Sequence, residues 1–321
     1  MRDVAKRAGV SIKTVSRVVN DQGEISETTR ERVLAVINQL GYRPNLLARG
    51  LATQQTYTVG LILNDISNPF FPEVARGVQD AARAHNYSVF LCNSDDQVEE
   101  ETHILQTLAA QSVDGVILFP CLYSQVGSFA EPHRPIVVIN SDYTHPNISV
   151  VMTDNYQGAM LAVDHLAAKG HTEIGMITGH LPGSQRVLGF TAGLKAHGLN
   201  PAANRILLGP PTFERGQEAA GHLLAEYPEL TAIFAFNDVL AVGAIQACKK
   251  LGRRVPQDCA IVGFDDIPLA SLIDPPLTTV RLPKYDLGQA AMTRILDMLD
   301  KPGQVLPPTK LEVELITRES T

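Results

Sequence analysis

The chain has 321 residues, 45% of them hydrophobic, with four cysteines and a formal net charge of −7. That length holds two or three domains with a substantial core, and no apolar run approaches the roughly 18 residues a membrane-spanning helix needs. The charge is unevenly spread: residues 1–55 hold nine Lys/Arg against five Asp/Glu, or +4, and the remainder carries −11, a basic head on an acidic body that confines nucleic-acid contact to one end.

Residues 3–20, DVAKRAGVSIKTVSRVVN, read as two short helices joined by a tight turn. The first begins straight after Met1-Arg2 and lacks an obvious cap. Gly9 takes the corner, where the absence of a Cβ lets the chain turn sharply. Ser11 opens the second helix, its hydroxyl capping an orphan backbone N–H. Val15, Val18 and Val19 then face a small core. Lys13, Ser16, Arg17 and Asn20, at i, i+3, i+4 and i+7, form one polar face that fits the DNA major groove. Ser26 caps a third helix over Glu27–Leu40, with Val33, Ile37 and Leu40 at helical spacing, and Gly41 ends it. Pro44 blocks its continuation, and Asn45 caps a further segment of about two turns, too short to be stable alone. Leu46, Leu47, Ala48 and Leu51 make that segment more apolar than a solvated linker.

From Tyr57 the texture alternates between strand and helix. Apolar strand-like runs fall at Val59–Leu63, Ser88–Cys92, Gly115–Phe119, Ile136–Ile139, Ile148–Met152, Ile174–Thr178, Ile206–Leu208, Ala232–Phe236, Ala260–Phe264 and Thr278–Val280. Helical patterns such as Glu73–His85, Tyr156–Lys169 and Val239–Lys250 separate most of them. This is the βαβ texture of an α/β protein with mainly parallel sheets, and the strand number suits two doubly wound lobes with a boundary near Met152–Tyr156. Cys92, Cys121, Cys248 and Cys259 show neither CxxC nor metal-ligand spacing, and the charged N-terminus carries no secretory signal. The expectation is a cytoplasmic protein with free thiols and no metal or cofactor. An enzyme on this fold is disfavoured: no G-x-G-x-x-G follows the first strand, there is no G-x-x-x-x-G-K-[ST], and the histidines and carboxylates form no metal or triad spacing. A transport-type binding protein fits the body but not the basic head.

Several motifs in order carry a resemblance over essentially the whole chain. They are DVAKRAGVSIKTVSRVVN, SETTRERVLAVINQLGYRPNLLARGL, VGLILNDISNPFFPEVARGV, VDGVILFP, GHTEIGMITG, RVLGFTAGL, FAFNDVLAVGA, VPQDCAIVGFDDIPLA and PPLTTVRLPKYDLG. The sequence resembles the lactose/galactose-repressor (LacI/GalR) family of bacterial transcription regulators. The resemblance implies a homodimer on a pseudo-palindromic operator in double-stranded DNA. Each protomer would have a helix-turn-helix head (1–43), a hinge helix and linker (44–56), and a two-lobed, periplasmic-binding-protein-like core (57–321). The lobes would divide at about 57–152 with 283–302, and 153–281 with 303–321. Lys13 and Arg17 match base-reading positions and have the chemistry to donate to guanine O6/N7. Ile12 matches another, where it touches a thymine methyl or packs in the core. Ser11, Thr14, Ser16 and Asn20 suit phosphate or capping contacts. Leu51 matches the family's minor-groove lever, with Ala48 beside it and Asn45 at the start of the hinge helix. Gly50 stands where the family usually has a polar residue, so the hinge helix is expected to be less stable.

In the core, the resemblance implies an effector site between the lobes. Asn68 would hydrogen-bond a small sugar-like ligand, Phe70 and Phe71 would stack on it, and Arg186, Asn237 and Asp265 would complete the polar set. Phe213 is a weaker stacking candidate. Asn140 and Ser141 stand where related pentose binders often carry an Asp-Arg pair. The implied function is repression of a carbohydrate-utilisation operon, switched by the effector. The alternative is a corepressor-dependent regulator that binds a nucleobase or another small metabolite.

Overall fold

Left-handed glycines punctuate the first helices of the chain. In the computed structural model, which describes residues 1–19, 23–42, 55–121, 124–141, 143, 145–179, 184–201 and 205–321, the chain divides into two compact units, Met1–Tyr57 and Thr58–Thr321. In the first, α1 (Arg2–Ala8) has no side-chain cap and ends at Gly9 with φ 65°, and α3 (Glu27–Leu40) ends at Gly41 with φ 59°. Between them runs α2 (Ile12–Val19). Val4, Ala5, Ala8, Val15, Val18, Val33 and Val36 form the core of this head. Two expectations need correction. Ser26 stands at the N-cap of α3, but its hydroxyl bonds the Thr29 hydroxyl (2.9 Å) and not a backbone N–H, because two threonine hydroxyls compete for it within one turn. The buried stripe of α3 is Val33 and Val36, while Leu40 is 38% exposed because the small core ends a turn before it.

The second unit contains two six-stranded sheets. The first has the order β11-β5-β4-β3-β1-β2 and is parallel throughout. Its strands are β1 (Thr58–Leu63), β2 (Ser88–Asn93), β3 (Gly115–Leu118), β4 (Ile136–Ile139), β5 (Ile148–Thr153) and β11 (Thr309–Leu311). Helices α4 (Phe71–Ala84), α5 (Val98–Ala110) and α10 (Lys284–Asp300) pack on it. The second sheet has the order β12-β10-β9-β8-β6-β7 and is parallel except for β12. It comprises β6 (Ile174–Thr178), β7 (Ile206–Leu208), β8 (Ala232–Ala235), β9 (Ala260–Asp265), β10 (Thr278–Arg281) and β12 (Glu314–Ile316). With it go α6 (Asn155–Ala168), α7 (Gln185–Ala196), α8 (Phe213–Glu226) and α9 (Asp238–Lys250). Strands buried on both faces read as unbroken apolar runs, which is why β3, β4, β6 and β8 are buried at every position.

The chain passes between the lobes after β5, after β10 and again after β11. This last passage differs from the sequence boundary, which gave all of 303–321 to the second lobe. Thr309–Leu311 pairs with Val151–Thr153 of the first sheet instead.

Helices α4 and α10 approach with almost no space between their backbones. A Cβ at Gly77 would lie 2.1 Å from the Tyr285 carbonyl oxygen, and one at Gly288 would lie 2.1 Å from that of Val74. Gly288→Ala is therefore expected to destabilise the protein by about 3 kcal/mol, since a backbone cannot yield as a side chain can. Gly221→Ala, in α8 with nothing within 4 Å of the new methyl, is expected to stabilise by roughly 0.5–1 kcal/mol. Thermal denaturation of the two variants checks the contrast.

Candidate functional site

The head presents α2 as its candidate nucleic-acid interface. Ser11 Oγ accepts the Thr14 N–H at 3.0 Å and lies 2.9 Å from the Thr14 hydroxyl, so both side chains serve the helix start. Val15 and Val18 are buried beneath it. Lys13 and Arg17 are exposed and Ser16 is half-buried. Ile12 is 47% exposed, which removes the core-packing reading for that residue. An isoleucine left in water beside two cations is suited to apolar contact with a base edge. Asn20, Asn45, Ala48, Gly50 and Leu51, with the hinge helix expected there, lie outside the described residues.

In the second unit the polar candidates converge at the C-terminal ends of the lobe-2 strands, where open α/β sheets bind ligands. Arg186, in the first turn of α7, is 8% exposed and Asp265, the last residue of β9, is 4% exposed. Arg186 Nη2 donates to Asp265 Oδ1 at 3.2 Å and Nε donates to Asn155 Oδ1 at 2.9 Å. Its Nη1 donates to the Phe236 carbonyl oxygen. The guanidinium carbon lies 3.9 Å from the Phe264 ring centre and 4.4 Å from that of Phe236, so cation–π attraction holds its plane as well as its edge. Among the described residues, three of its five N–H groups find acceptors in this way. Sequence reasoning missed Asn155, Phe236 and Phe264. Phe236 and Phe264 carried a signal, as the residues before Asn237 in FAFND and before Asp265 in GFDD.

The other candidates play more local parts. Asn237 is 2% exposed, and its Oδ1 accepts the Leu240 N–H at 2.9 Å as the N-cap of α9. Asn68 follows β1 and its Oδ1 accepts the Phe70 N–H at 3.0 Å, shaping the entry to α4. Phe70 and Phe71 are 6% and 7% exposed. Their rings meet each other edge-to-face at 5.2 Å and meet Phe119 at 5.9 and 5.0 Å. The structure thus brings them together as packing, with little of either ring exposed, where two stacking faces were expected. Phe213 is half-buried at the start of α8. Asn140 Oδ1 accepts from the Thr153 N–H (2.8 Å) and hydroxyl (3.1 Å), pinning β4 to β5, with Ser141 half-buried beside it.

Burial dominates the electrostatics. It pushes Asp265 up to about 6, against the charges of Arg186 and Lys284. It pushes Asp238 up to about 8, reinforced by the charge of Asp265. Asp238 is fully buried and accepts from Thr279 Oγ1 at 2.6 Å and from the Ile267 N–H at 2.8 Å, which oppose the rise. Both carboxyls titrate higher folded than unfolded. Their stabilising contribution is therefore complete below about pH 4 and is lost as pH rises through about 6 and about 8. His165 and His171, half-buried and shifted down by that burial, act below pH 6.5. The melting temperature is expected to fall from pH 6.5 to 8.5, and Asp238→Asn to flatten that slope. Scanning calorimetry across the window checks it.

Among the described residues, no group of three or more His, Cys, Asp or Glu side chains is arranged to hold a metal, and no helix is long and apolar enough to cross a membrane. A head with an exposed cationic helix, on one chain with two lobes that converge on a polar site, defines a DNA-binding regulator with a small-molecule site. Comparison with known proteins agrees. Residues 1–45 match the family profile of bacterial regulatory proteins, lacI family, and residues 163–321 match the periplasmic binding protein-like domain. The ribose operon repressor of Halalkalibacterium halodurans is 38% identical over 324 residues, covering 100% of this chain and 96% of that protein. The lac repressor dimer bound to operator and the anti-inducer ONPF superposes with a TM-score of 0.87 at 29% identity, covering 99% of this chain and 97% of that one. A LacI family transcriptional regulator from Enterococcus faecium with bound ribose gives a TM-score of 0.72 at 28% identity, covering 82% and 98%. The chain belongs to the lacI family of bacterial regulatory proteins, and it is a transcription regulator, not an enzyme.

Proposed function

We propose that the chain is a cytoplasmic repressor of a carbohydrate-utilisation operon. It binds a pseudo-palindromic operator as a homodimer and is switched by a small sugar-like effector held between its lobes. The observation that carries this reading is the Arg186–Asp265 pair, desolvated between two phenylalanine rings at the strand ends. The name of the ribose operon repressor and the ribose held by the E. faecium regulator support a sugar. Lys13, Arg17 and Ile12 read base edges from α2, and Ser11, Thr14, Ser16 and Asn20 serve capping and phosphate contacts. Asn45, Ala48 and Leu51 supply the minor-groove hinge. Asn68, Phe70, Phe71 and Asn237 complete the effector wall around Arg186 and Asp265. Exposed apolar side chains, Phe90 and Leu91 on edge strand β2 and Leu272 at 77% exposure, offer surface for the dimer contact.

A thermal-shift screen of pentoses, hexoses, sugar phosphates and nucleobases on the full chain tests the effector class. A sugar at 100 times its Kd is expected to stabilise by about 2.7 kcal/mol. Stabilisation by a nucleobase and by no sugar would overturn the sugar assignment in favour of the corepressor alternative.

A further inference from the structure

Lys284 is the first residue of α10, the helix that returns the chain to the first lobe, and it is 3% exposed. A buried ammonium needs an acceptor for each of its three protons. Lys284 has two hydrogen-bond acceptors and one carboxylate as ion-pair partner. Nζ donates to the carbonyl oxygens of Asp265 (2.8 Å) and Asp266 (2.9 Å) in the second lobe, and it lies 3.4 Å from Glu73 Oε2 on α4 of the first.

Each contact falls on a part of the effector site. Asp265 and Asp266 have φ of 106° and 52°, a left-handed turn that non-glycine residues adopt only when their surroundings enforce it. The side chain of Asp265 leaves that turn toward Arg186. Glu73 sits in the first turn of α4, one residue (Pro72) beyond Asn68-Pro69-Phe70-Phe71. The three arms differ in strength. The bond to the Asp265 carbonyl is buried and that to the Asp266 carbonyl partly so, whereas the Glu73 side chain is 48% exposed and borders an open cavity of about 380 Å³ with Lys284, Asp266, Arg281 and Glu314. The cross-lobe arm is the one of the three that faces solvent.

We infer that Lys284 is a positioning residue that holds the Asp265–Asp266 turn in shape for the effector and ties that turn to α4 of the other lobe through Glu73. This rests on the effector reading of the same site. Lys284 touches no ligand in this account: it fixes the carboxylate that does and carries the change to the first lobe.

Amide hydrogen exchange of the full chain without ligand gives the first test. Lys284→Met is expected to speed exchange at residues 265–267 by about tenfold and Glu73→Gln by about threefold, with β8 unchanged in both. The second test compares operator affinity with and without D-ribose. Glu73→Gln is expected to shrink the ratio of the two affinities at least threefold with a smaller change in sugar Kd, and Lys284→Met to raise that Kd about tenfold. A merely structural role would lower the melting temperature and leave that ratio alone. Should Lys284→Met fail to fold, Glu73→Gln carries both readouts. Unchanged exchange at 265–267 in the folded variants would overturn the proposal. If the wild-type chain binds no sugar, the sugar assignment fails separately, and the exchange comparison still decides the role of Lys284.

Discussion

Arg186→Met is expected to abolish the effector response and to destabilise the protein by about 3 kcal/mol, the usual cost of removing one partner from a buried ion pair. Asp265 would then keep its burial and lose its main counter-charge, since burial already pushes it up to about 6 with Arg186 in place. Without Arg186 the carboxyl takes up a proton at neutral pH, which limits the cost below that of a bare buried charge. The variant also removes the guanidinium from between the Phe236 and Phe264 rings and leaves the Asn155 side chain and the Phe236 carbonyl without that donor. A fall in melting temperature of roughly 6–12 °C corresponds to that energy for a domain of this size. The double variant Arg186→Met with Asp265→Asn should lose less than the two single losses added, because no charge remains to be desolvated. Denaturation of all four proteins closes the cycle. Strict additivity would mean that the pair at 3.2 Å contributes nothing as a pair.

Lys13→Ala with Arg17→Ala is expected to weaken specific operator binding by about 2–6 kcal/mol, each bidentate base contact being worth about 1–3 kcal/mol. Both side chains are exposed and neither supports the head's core, so helix content and melting temperature should stay at wild-type values. Binding to non-operator DNA should fall much less, since that depends on phosphate neutralisation. Equal losses on operator and random duplex, measured by anisotropy at one fixed salt concentration, would place these residues on phosphates and move base reading elsewhere on the head.

The strands of both lobes were legible because a sheet covered on both faces needs apolar residues at successive positions. Ile136–Ile139 and Ile174–Thr178, buried at every position, stand where the apolar runs put them. The two missed strands, Thr309–Leu311 and Glu314–Ile316, lie at sheet edges and carry Lys310 and Glu314, so neither shows the unbroken apolar run that marked the equally short edge strand Ile206–Leu208. Gly9, Gly41 and Ser11 declared their roles through local chemistry, since a left-handed turn or a cap involves only neighbours. Ser26 misled for the same reason: its competitor Thr29 is as local as the N–H it was to cap.

The site was legible as a set of motifs but not as an arrangement. The partners of Arg186 come from 31, 50 and 79 residues away, and no pattern within one segment reports such distances. Asn237 illustrates the limit. The FND motif marked it as polar and placed, and the structure gives its oxygen to the start of α9. Lys284 carried no signal, because its partners are two backbone carbonyls and a glutamate in another helix.

In the proposed function, the ligand site of the lobes governs the head's grip on DNA. Titration of operator DNA with the full chain, with and without the sugar that stabilises it best, measures that coupling directly. The wild-type affinity is expected to change by about 5- to 150-fold, a coupling of about 1–3 kcal/mol, and the Arg186→Met affinity is expected not to change. Identical operator affinity for the wild-type chain with and without a sugar that demonstrably binds would contradict the account.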